Sequence, residues 1–394
     1  MPLRKQARRK PAVRDGYLPF GQPNFGDEEI AAVTAVLKSR WIGMGAETEK
    51  FEAELARFAG AKHVVTVNSC TSALFLSLLV HGVGPGDEVI VPSLTWCSTA
   101  NVAFYLGAKP VFCDVNRSTF CTTPETVAER ITPRTKAVIV VHLGGLTADV
   151  AAIGEILPPG VALIEDAAHA LGSSYGDGSR VGSSGNLACF SFYANKNLST
   201  GEGGAIALSD DHLARRLRSL RQNGLDVDAW KRFTDPRAAL TPTFEEIGYK
   251  VNFTDFQASV GRAQLRRQGE FHSIRHAIAS EYVRALGLSQ PAIQFQKDVL
   301  SDSHARHLVM VALPIEDMSM TRDDIVLEMR NRKIGASIHY RPLHTIPLYK
   351  DSVQAPLPNT DWIGRRVMTL PVSANMTMND TQYVVEHFLD VLDG

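Results

Sequence analysis

The sequence predicts an α/β protein in which a mostly parallel, seven-stranded sheet lies between layers of helices, with a smaller α+β domain at the carboxyl end. Short and almost continuous apolar runs recur through the first half of the chain, as expected of strands that are covered on both faces. These runs are residues 63–67, 88–91, 110–113, 137–141, 161–164, 187–190 and 205–208. Helix-like segments, such as 71–80 and 98–106, separate several of them, and repeated strand–helix units favour a parallel sheet.

The run at 205–208 is expected to be antiparallel to its neighbour, because only a glycine-rich loop links it to residues 190–192 and a parallel crossover needs more chain. A helical pattern then begins at Asp210, with Asp210 or Asp211 as its possible cap, and an apolar helix is expected to open at Thr254. After about residue 285 the chain has its own strand and helix, at 307–313 and 321–330. These patterns predict a disordered basic tail at 1–20, a large α/β domain at 21–284 and a small domain at 285–394.

Composition excludes several classes of function. The chain has 394 residues and a net charge of -1, from 41 Lys and Arg against 42 Asp and Glu, so neither nucleic acid nor a membrane is an expected partner. The basic residues before position 15 lack an accompanying apolar run, so this stretch is not a secretory signal. Five cysteines without a Cys-x-x-Cys pair predict neither disulfides nor a metal site and fit the cytoplasm.

Polar residues directly follow five of the predicted strands. They are Asn68, Ser93, His142, Asp166 and Ser191. Parallel strands share one carboxyl edge, and ligands of open α/β sheets bind at that edge. We therefore expect these side chains to meet at one crevice.

Residues 68–74 join the first strand to a helix through small hydroxyl side chains. The amides at the start of this helix, with the hydroxyls of Thr71 and Ser72, could hold a phosphate group. A Ser/Thr cluster before a helix is more often simply an N-cap, so this motif alone does not decide between the two interpretations.

Residues 164–172 contain a carboxylate at a strand end among small alanines. Asp166 could hold the pyridine nitrogen of a bound cofactor in its protonated form, which makes the ring an electron sink. The alternative is a solvated carboxylate that caps a helix. His169, three residues later, could reach a cofactor oxygen from the same helical face, or could be a buried, hydrogen-bonded histidine.

Residues 190–204 contain the most specific pattern, a lysine between a buried strand and a glycine-rich loop. Lys196 is predicted to lie in a crevice where burial lowers its pKa and makes it a nucleophilic amine, rather than on the surface. Ser191 could reach a phosphate while Lys196 reaches an aldehyde on the same ring. Gly201, Gly203 and Gly204 would give backbone freedom where the chain passes close to a ligand.

These motifs resemble those of the DegT-like sugar-nucleotide aminotransferases, which use pyridoxal 5'-phosphate (PLP) and have the PLP-dependent transferase fold of type I. The resemblance covers roughly residues 20–390 and rests on three segments, Asn-Ser-Cys-Thr-Ser-Ala-Leu, Glu-Asp-Ala-Ala-His-Ala and Phe-Ser-Phe-x-x-x-Lys-Asn-x-x-x-Gly-Glu-Gly-Gly. Residues 92–96 and 166–170 are similar to the branch that aminates a UDP-4-keto-pentose.

The resemblance implies a role for each of ten residues. Lys196 is the covalent anchor of PLP and the catalytic proton carrier. The other expected cofactor contacts are Asp166 at the pyridine nitrogen, Trp96 on the ring face, His169 at the phenolic oxygen, and Thr71, Ser72 and Ser191 at the phosphate. In a homodimer with shared active sites, Asn252, or alternatively Lys250, is expected to reach the phosphate of a neighbouring subunit. In the segment 339–344, Arg341 and His344 are expected to contact anionic groups of the substrate.

The implied reaction moves an amino group from L-glutamate to a keto-sugar nucleotide, a 4-keto hexose or pentose, for cell-surface polysaccharide or antibiotic sugars. One alternative is another PLP chemistry, such as that of a sugar dehydratase or a cyclitol aminotransferase. In the resembling dehydratases a histidine replaces the lysine, so the intact Lys196 favours transamination. A second alternative is a non-catalytic regulator that binds PLP or a sugar, against which the complete lysine and glycine motif argues.

Overall fold

The predicted sheet is present in the computed structural model, which describes residues 11–225, 234, 241 and 243–393. Its strands are β1 (His63–Val67), β2 (Glu88–Pro92), β3 (Lys109–Cys113), β4 (Thr135–Val141), β5 (Ala162–Asp166), β6 (Leu187–Ser191) and β7 (Gly204–Leu208). They are ordered β1-β7-β6-β5-β4-β2-β3 across one sheet. The predicted α/β class is confirmed.

Strand β7 is antiparallel to both of its neighbours, β1 and β6, as the short glycine-rich link predicted. Strands β2 to β6 pair in parallel. A side chain at Gly204 would place its Cβ 2.5 Å from the carbonyl carbon of Ser69, and one at Gly203 would meet the ring of Phe253 at 2.6 Å. Packing within the protein therefore requires both glycines. The expectation from the sequence was that they let the backbone pass close to a ligand.

Nine helices of the described chain accompany this sheet. They are α1 (Asp27–Ser39), α2 (Ala46–Ala59), α3 (Cys70–Val80), α4 (Ser98–Tyr105), α5 (Pro124–Ala128), α6 (Val150–Ile156), α7 (Asp211–Leu220), α8 (Asp255–Arg266) and α9 (Gln268–Ser289). Alternate strand residues face opposite layers, so that Val138 packs in one apolar core with Leu55 of α2, while Ile139 packs in the other with Leu74 of α3. The sheet is thus covered on both faces, which explains its continuous apolar runs.

The carboxyl-terminal part forms a second sheet with its own core. Its elements are β8 (Gln294–Phe295), β9 (Val309–Ala312), α10 (Arg322–Asn331), α11 (Pro358–Arg366), β10 (Val367–Leu370) and α12 (Met378–Asp393), and the strands form an antiparallel sheet in the order β10-β9-β8. The expected strand and helix after residue 285 are both found. The predicted domain boundaries at 20 and 284 stay predictions.

Part of the predicted tail contacts this second unit. Leu18 is buried in its core and forms a bridge with Ile334, and Arg14 forms an ion pair with Asp380 at 2.8 Å. The remainder of the tail, residues 1–10, lies outside the described residues, as does most of the stretch 225–246. No helix among the described residues is long and apolar enough to cross a membrane.

Candidate active site

A cavity of about 460 Å³ lies where β5 and β6 end, against the start of α3. Its walls contain six of the ten predicted site residues, Thr71, Trp96, Asp166, His169, Ser191 and Lys196. Ser72, Asn252, Arg341 and His344 do not line it. The carboxyl edge of the sheet is therefore the place where the predicted lysine and carboxylate meet, as expected for an open α/β sheet.

Lys196 lies in the turn between β6 and the glycine-rich loop and is half-buried. Its backbone amide donates to the carbonyl of Tyr193 at 2.9 Å, which holds the turn. Burial lowers the pKa of the Lys196 amine from 10.5 to about 8, although Cys70 and Asp166 act in the opposite direction. A substantial fraction of this amine is therefore uncharged and nucleophilic near neutral pH.

Asp166 is the last residue of β5, and only 6% of it is exposed. Its carboxylate accepts from the hydroxyl of Thr99 at 2.8 Å and from the amide of Ala168 at 3.2 Å. Burial raises the pKa of Asp166, while these hydrogen bonds and Lys196 partly oppose the effect. Such a carboxylate is fixed in direction, and a cation placed against it would favour its charged form.

His169 lies in the turn after β5 and not on a helix, contrary to the expectation that it shares a helical face with Asp166. Its Nδ1 accepts from the amide of Gly144 at 3.3 Å, and its Nε2 is 3.2 Å from the hydroxyl of Tyr340. Because an amide can only donate, this bond assigns the ring proton to Nε2. Burial, helped by Lys196 and His339, lowers the pKa of His169 well below 6.5, so the ring is neutral.

The start of α3 offers backbone donors to the cavity. Ser69 is the N-cap, and its hydroxyl accepts from the amide of Ser72 at 3.1 Å. The amides of Cys70 and Thr71 precede the first intrahelical bond, so they remain donors for a ligand. The Ser72 hydroxyl donates to the side chain of Asn68 at 2.7 Å, outside the cavity wall. The capping and the phosphate-binding interpretations are thus compatible at this helix.

Three of the five polar residues at strand ends point elsewhere. His142 is fully buried, and its Nε2 is 2.8 Å from the carboxylate of Glu165, which lies beside Asp166 on the same strand. Ser93 bonds with His344 at 2.7 Å. His142, Ser93 and Asn68 are all absent from the cavity wall. The expectation of one common crevice was wrong for these three, because their side chains bond to other parts of the protein.

Two aromatic residues close the open side of the cavity. Trp96 is 60% exposed, and its ring centroid lies 5.9 Å from that of Tyr340. Tyr340 directly precedes Arg341, which was predicted, together with His344, to contact the substrate instead. It was missed because only the packing of the second unit brings it to Trp96 and His169. Thr99, the second residue of α4, was missed because its contact with Asp166 joins two elements of the large sheet unit that are 67 positions apart in the sequence.

The remaining predicted contacts lie around the rim. Asn252 forms a bridge with Val67 at the end of β1. Arg341 is exposed and donates to the side chain and the carbonyl of Thr345, both at 3.1 Å. Both ring nitrogens of His344 are engaged, one with Ser93 and the other with Asp361 at 3.0 Å.

Comparison with known proteins gives the family. The model of the DegT/DnrJ/EryC1/StrS aminotransferase family matches residues 23–389. The chain belongs to this family. Its members are PLP-dependent aminotransferases, so the predicted enzyme class and cofactor are confirmed.

Individual relatives agree over almost the whole chain. The spore coat polysaccharide biosynthesis protein SpsC of Bacillus subtilis (strain 168) is 38% identical over 390 residues, covering 97% of this chain and 98% of SpsC. The crystal structure of the aminotransferase TlmJ from Streptoalloteichus hindustanus has a TM-score of 0.87 and 34% identity, covering 96% and 99% of the two chains. The predicted transferase fold of type I is confirmed by such neighbours.

A third relative carries the cofactor. Spr1654 of Streptococcus pneumoniae, described as a sugar aminotransferase, is 27% identical in its PLP-form, with a TM-score of 0.86 and coverage of 96% and 99%. Its PMP-form, in which PMP is pyridoxamine 5'-phosphate, matches with a TM-score of 0.87 and 28% identity, covering 95% of this chain and 99% of Spr1654.

The residues of the cavity fit PLP. A phosphate requires donors, an aldehyde requires an uncharged amine, and a pyridine nitrogen requires a carboxylate. The start of α3, Lys196 and Asp166 supply these three groups around one cavity. The thiol of Cys70 is not a competing nucleophile, because burial raises its pKa well above 9.0.

The lowered pKa of Lys196 makes a pH-dependent prediction. Since only the uncharged amine attacks an aldehyde, the rate at which PLP-free protein captures added PLP should rise with pH and level off above about 8. The growth of visible absorbance after mixing measures this rate. A half-maximal rate near 10.5, the ordinary value for lysine, would contradict the prediction. Lys62→Ala, which removes a lysine that pairs with Asp211 on the surface, should leave the profile unchanged.

Proposed function

We propose that this enzyme transfers the amino group of L-glutamate to a keto-sugar nucleotide in the cavity around Lys196. The observation that carries the proposal is the convergence of the Lys196 amine, the Asp166 carboxylate and the first-turn amides of α3 on one space of about 460 Å³. Glutamate would deliver its amino group and leave as 2-oxoglutarate. The keto sugar would then enter the same cavity and leave as the amine.

Lys196 is the proposed catalytic residue. PLP supplies an aldehyde that accepts the amine and a ring that withdraws electrons from the substrate's α carbon. The Nζ of Lys196 would remove the proton from the α carbon of glutamate in the first half of the reaction. In the second half it would give a proton to the carbon that was the ketone of the sugar. Its pKa of about 8 suits both roles near neutral pH.

Asp166 and His169 are proposed to hold the cofactor ring from two sides. The carboxylate of Asp166 keeps its direction through the bonds from Thr99 and Ala168, and would face the pyridine nitrogen. The neutral His169 has its proton on Nε2, so it would donate to the phenolic oxygen by exchanging its contact with the Tyr340 hydroxyl. Trp96 would cover the face of the ring.

The phosphate is proposed to lie at the start of α3. Thr71 and Ser191 line the cavity there, and the Thr71 hydroxyl, which donates to that of Ser98 at 3.0 Å, would turn to the phosphate by exchanging this bond. Ser72 would join them only by exchanging its bond to Asn68. We also propose that the enzyme is a homodimer in which Asn252, at the end of β1, reaches the phosphate of the neighbouring subunit.

The sugar-nucleotide substrate is supported by the names of the relatives. SpsC is named for polysaccharide biosynthesis, and Spr1654 is described as a sugar aminotransferase. Arg341 is proposed to meet the substrate's anionic groups from the rim, since it follows Tyr340 of the cavity wall directly. His344 would reach them after giving up its bond to the half-exposed Asp361.

The test is a panel of ketones offered with isotopically labelled L-glutamate. The ketones are 3-keto and 4-keto sugars linked to UDP, GDP or dTDP, and a cyclitol ketone. We expect mass spectrometry to find the labelled nitrogen in an aminated sugar nucleotide, with 2-oxoglutarate formed in equal amount. Incorporation into the cyclitol alone, or into no ketone of the panel, would overturn the proposal.

A further inference from the structure

A second cavity, of about 290 Å³, lies on the far side of the Lys196 turn. It is bounded by the first two turns of α9, by the end of α2 and by the loop that carries Arg180. The two cavities share no lining residue among the described part of the chain. Gln268 connects them indirectly, because its Nε2 donates to the carbonyl of Asn197, the residue after Lys196, at 3.0 Å.

Arg275 brings a buried positive charge to this second cavity. Only 3% of the residue is exposed, and its Nη1 donates to the carbonyls of Arg306 and Val372 at 3.2 and 3.1 Å. Its Nε is buried without a hydrogen-bond partner in the described structure. No carboxylate pairs with Arg275 among the described residues, and burial is the one influence on its pKa, which is lowered from 12.5 to about 10. Burying a guanidinium is costly without a counter-charge, so the group has unused capacity for an anion.

Two further donors face the same space. Arg180, whose guanidinium lies 5.9 Å from the ring of Phe58, lines the cavity from the opposite side. The Nε2 of His272 is 3.0 Å from Nη1 of Arg306, and an arginine can only donate, so the ring proton of His272 is on Nδ1. Burial and the nearby Arg306 and Arg180 lower the pKa of His272, which keeps the ring a neutral donor.

The charge of the wall favours an anion. Arg180 and Arg275 contribute two positive charges, and Asp302 contributes one negative charge from an exposed position. Guanidinium groups match the planar geometry of a carboxylate and the oxygen spacing of a phosphate. The volume of about 290 Å³ is near the lower end of the range for small-molecule sites.

We infer that this second cavity is a binding site for a small oxyanion, a carboxylate or phosphate compound, held by Arg275 together with Arg180 and His272. The site is separate from the one proposed for PLP and substrate. Its occupant would neutralise Arg275 and lie next to Gln268, whose side chain supports the turn that carries Lys196.

Two glycines of α9 allow a matched test. Gly269 lines the cavity, and a Cβ there would meet nothing within 4 Å, so Gly269→Leu should fill the space without disturbing either arginine. Gly287 lies in the same helix with equally open surroundings but away from the cavity, so Gly287→Leu is the control. Both substitutions replace glycine by a better helix former, so the fold should be retained.

The experiment is calorimetric titration of the PLP-loaded enzyme with inorganic phosphate and, separately, with succinate. Borohydride treatment beforehand fixes the cofactor, so that added phosphate cannot replace it. We expect one site for at least one of the two probes, its loss in Gly269→Leu and its retention in Gly287→Leu. Arg180→Gln should weaken binding roughly fivefold to tenfold, as expected for loss of one partly exposed charge.

Two results would overturn the inference. One is that neither phosphate nor succinate binds to the wild-type enzyme. The other is binding that persists unchanged in Gly269→Leu, which would place the anion elsewhere, for example in the substrate cavity. Neither result depends on which ketone the enzyme aminates, so failure here is distinguishable from failure of the proposed function.

Discussion

Replacing Lys196 by alanine should lower turnover by on the order of 10⁴-fold or more and abolish covalent capture of PLP. Lys196 is the amine of the cavity whose pKa burial lowers to about 8, so its loss removes both the covalent anchor and the proton carrier. Turnover is measured by formation of 2-oxoglutarate from glutamate with an accepted ketone. Capture is measured by visible absorbance and by mass after borohydride treatment, which should fix PLP on residue 196.

Lys62→Ala is the matched control for this substitution. Lys62 is exposed, pairs with Asp211 at 2.8 Å and does not line the cavity; it precedes the start of β1, whereas Ser69 of the cavity wall follows the end of that strand. The control variant should keep full turnover and full capture of PLP. A Lys196→Ala protein that stayed colourless and still transaminated at the wild-type rate would end the assignment of Lys196.

Replacing Asp166 by asparagine should lower kcat by roughly 10³-fold, equivalent to about 4 kcal/mol in the activation barrier. An amide has nearly the same shape as the carboxylate and can still accept from Thr99, but it has no charge to keep the pyridine nitrogen protonated. The ring then withdraws electrons less strongly. Steady-state kinetics with glutamate and the accepted ketone measures the effect.

Thr99→Val separates the charge of Asp166 from its orientation. This variant removes the 2.8 Å hydrogen bond to Asp166 but leaves the carboxylate in place. We expect a loss of roughly tenfold, much smaller than that of Asp166→Asn, because orientation is disturbed while charge is kept. Equal losses in the two variants would show that the charge of Asp166 is not what matters.

The electrostatics of the cavity favour a lysine over a histidine as the proposed proton carrier. Burial is the main cause that lowers the pKa of His169, His307 and His339, and Lys196 lowers each of them further. The three imidazoles are therefore neutral near neutral pH. Burial lowers the pKa of lysine and histidine alike. Because the ordinary pKa is 10.5 for lysine and 6.5 for histidine, the lowered pKa of Lys196 is still about 8, whereas that of His169 falls well below 6.5.

The motif at 339–344 shows where sequence reasoning was incomplete. The resemblance of this segment to the family's loop near the substrate implied that Arg341 and His344 contact anionic groups. In the structure Tyr340 lines the cavity and bonds to His169, whereas His344 bonds to Ser93 and Asp361. Which side of a loop faces a cavity depends on the packing of the second unit, and no local pattern encodes it.

The sequence alone determined the strands, the antiparallel position of β7, and the placement of Asp166 and Lys196 at strand ends. These features depend on local physics, since apolar runs, glycine loops and charged residues beside buried strands can be recognised within a few residues. Only the tertiary structure decided that Thr99 orients Asp166, that Tyr340 meets His169, and that His142 turns away to Glu165. Such contacts join residues up to 171 positions apart, and they follow from how whole layers pack against one another.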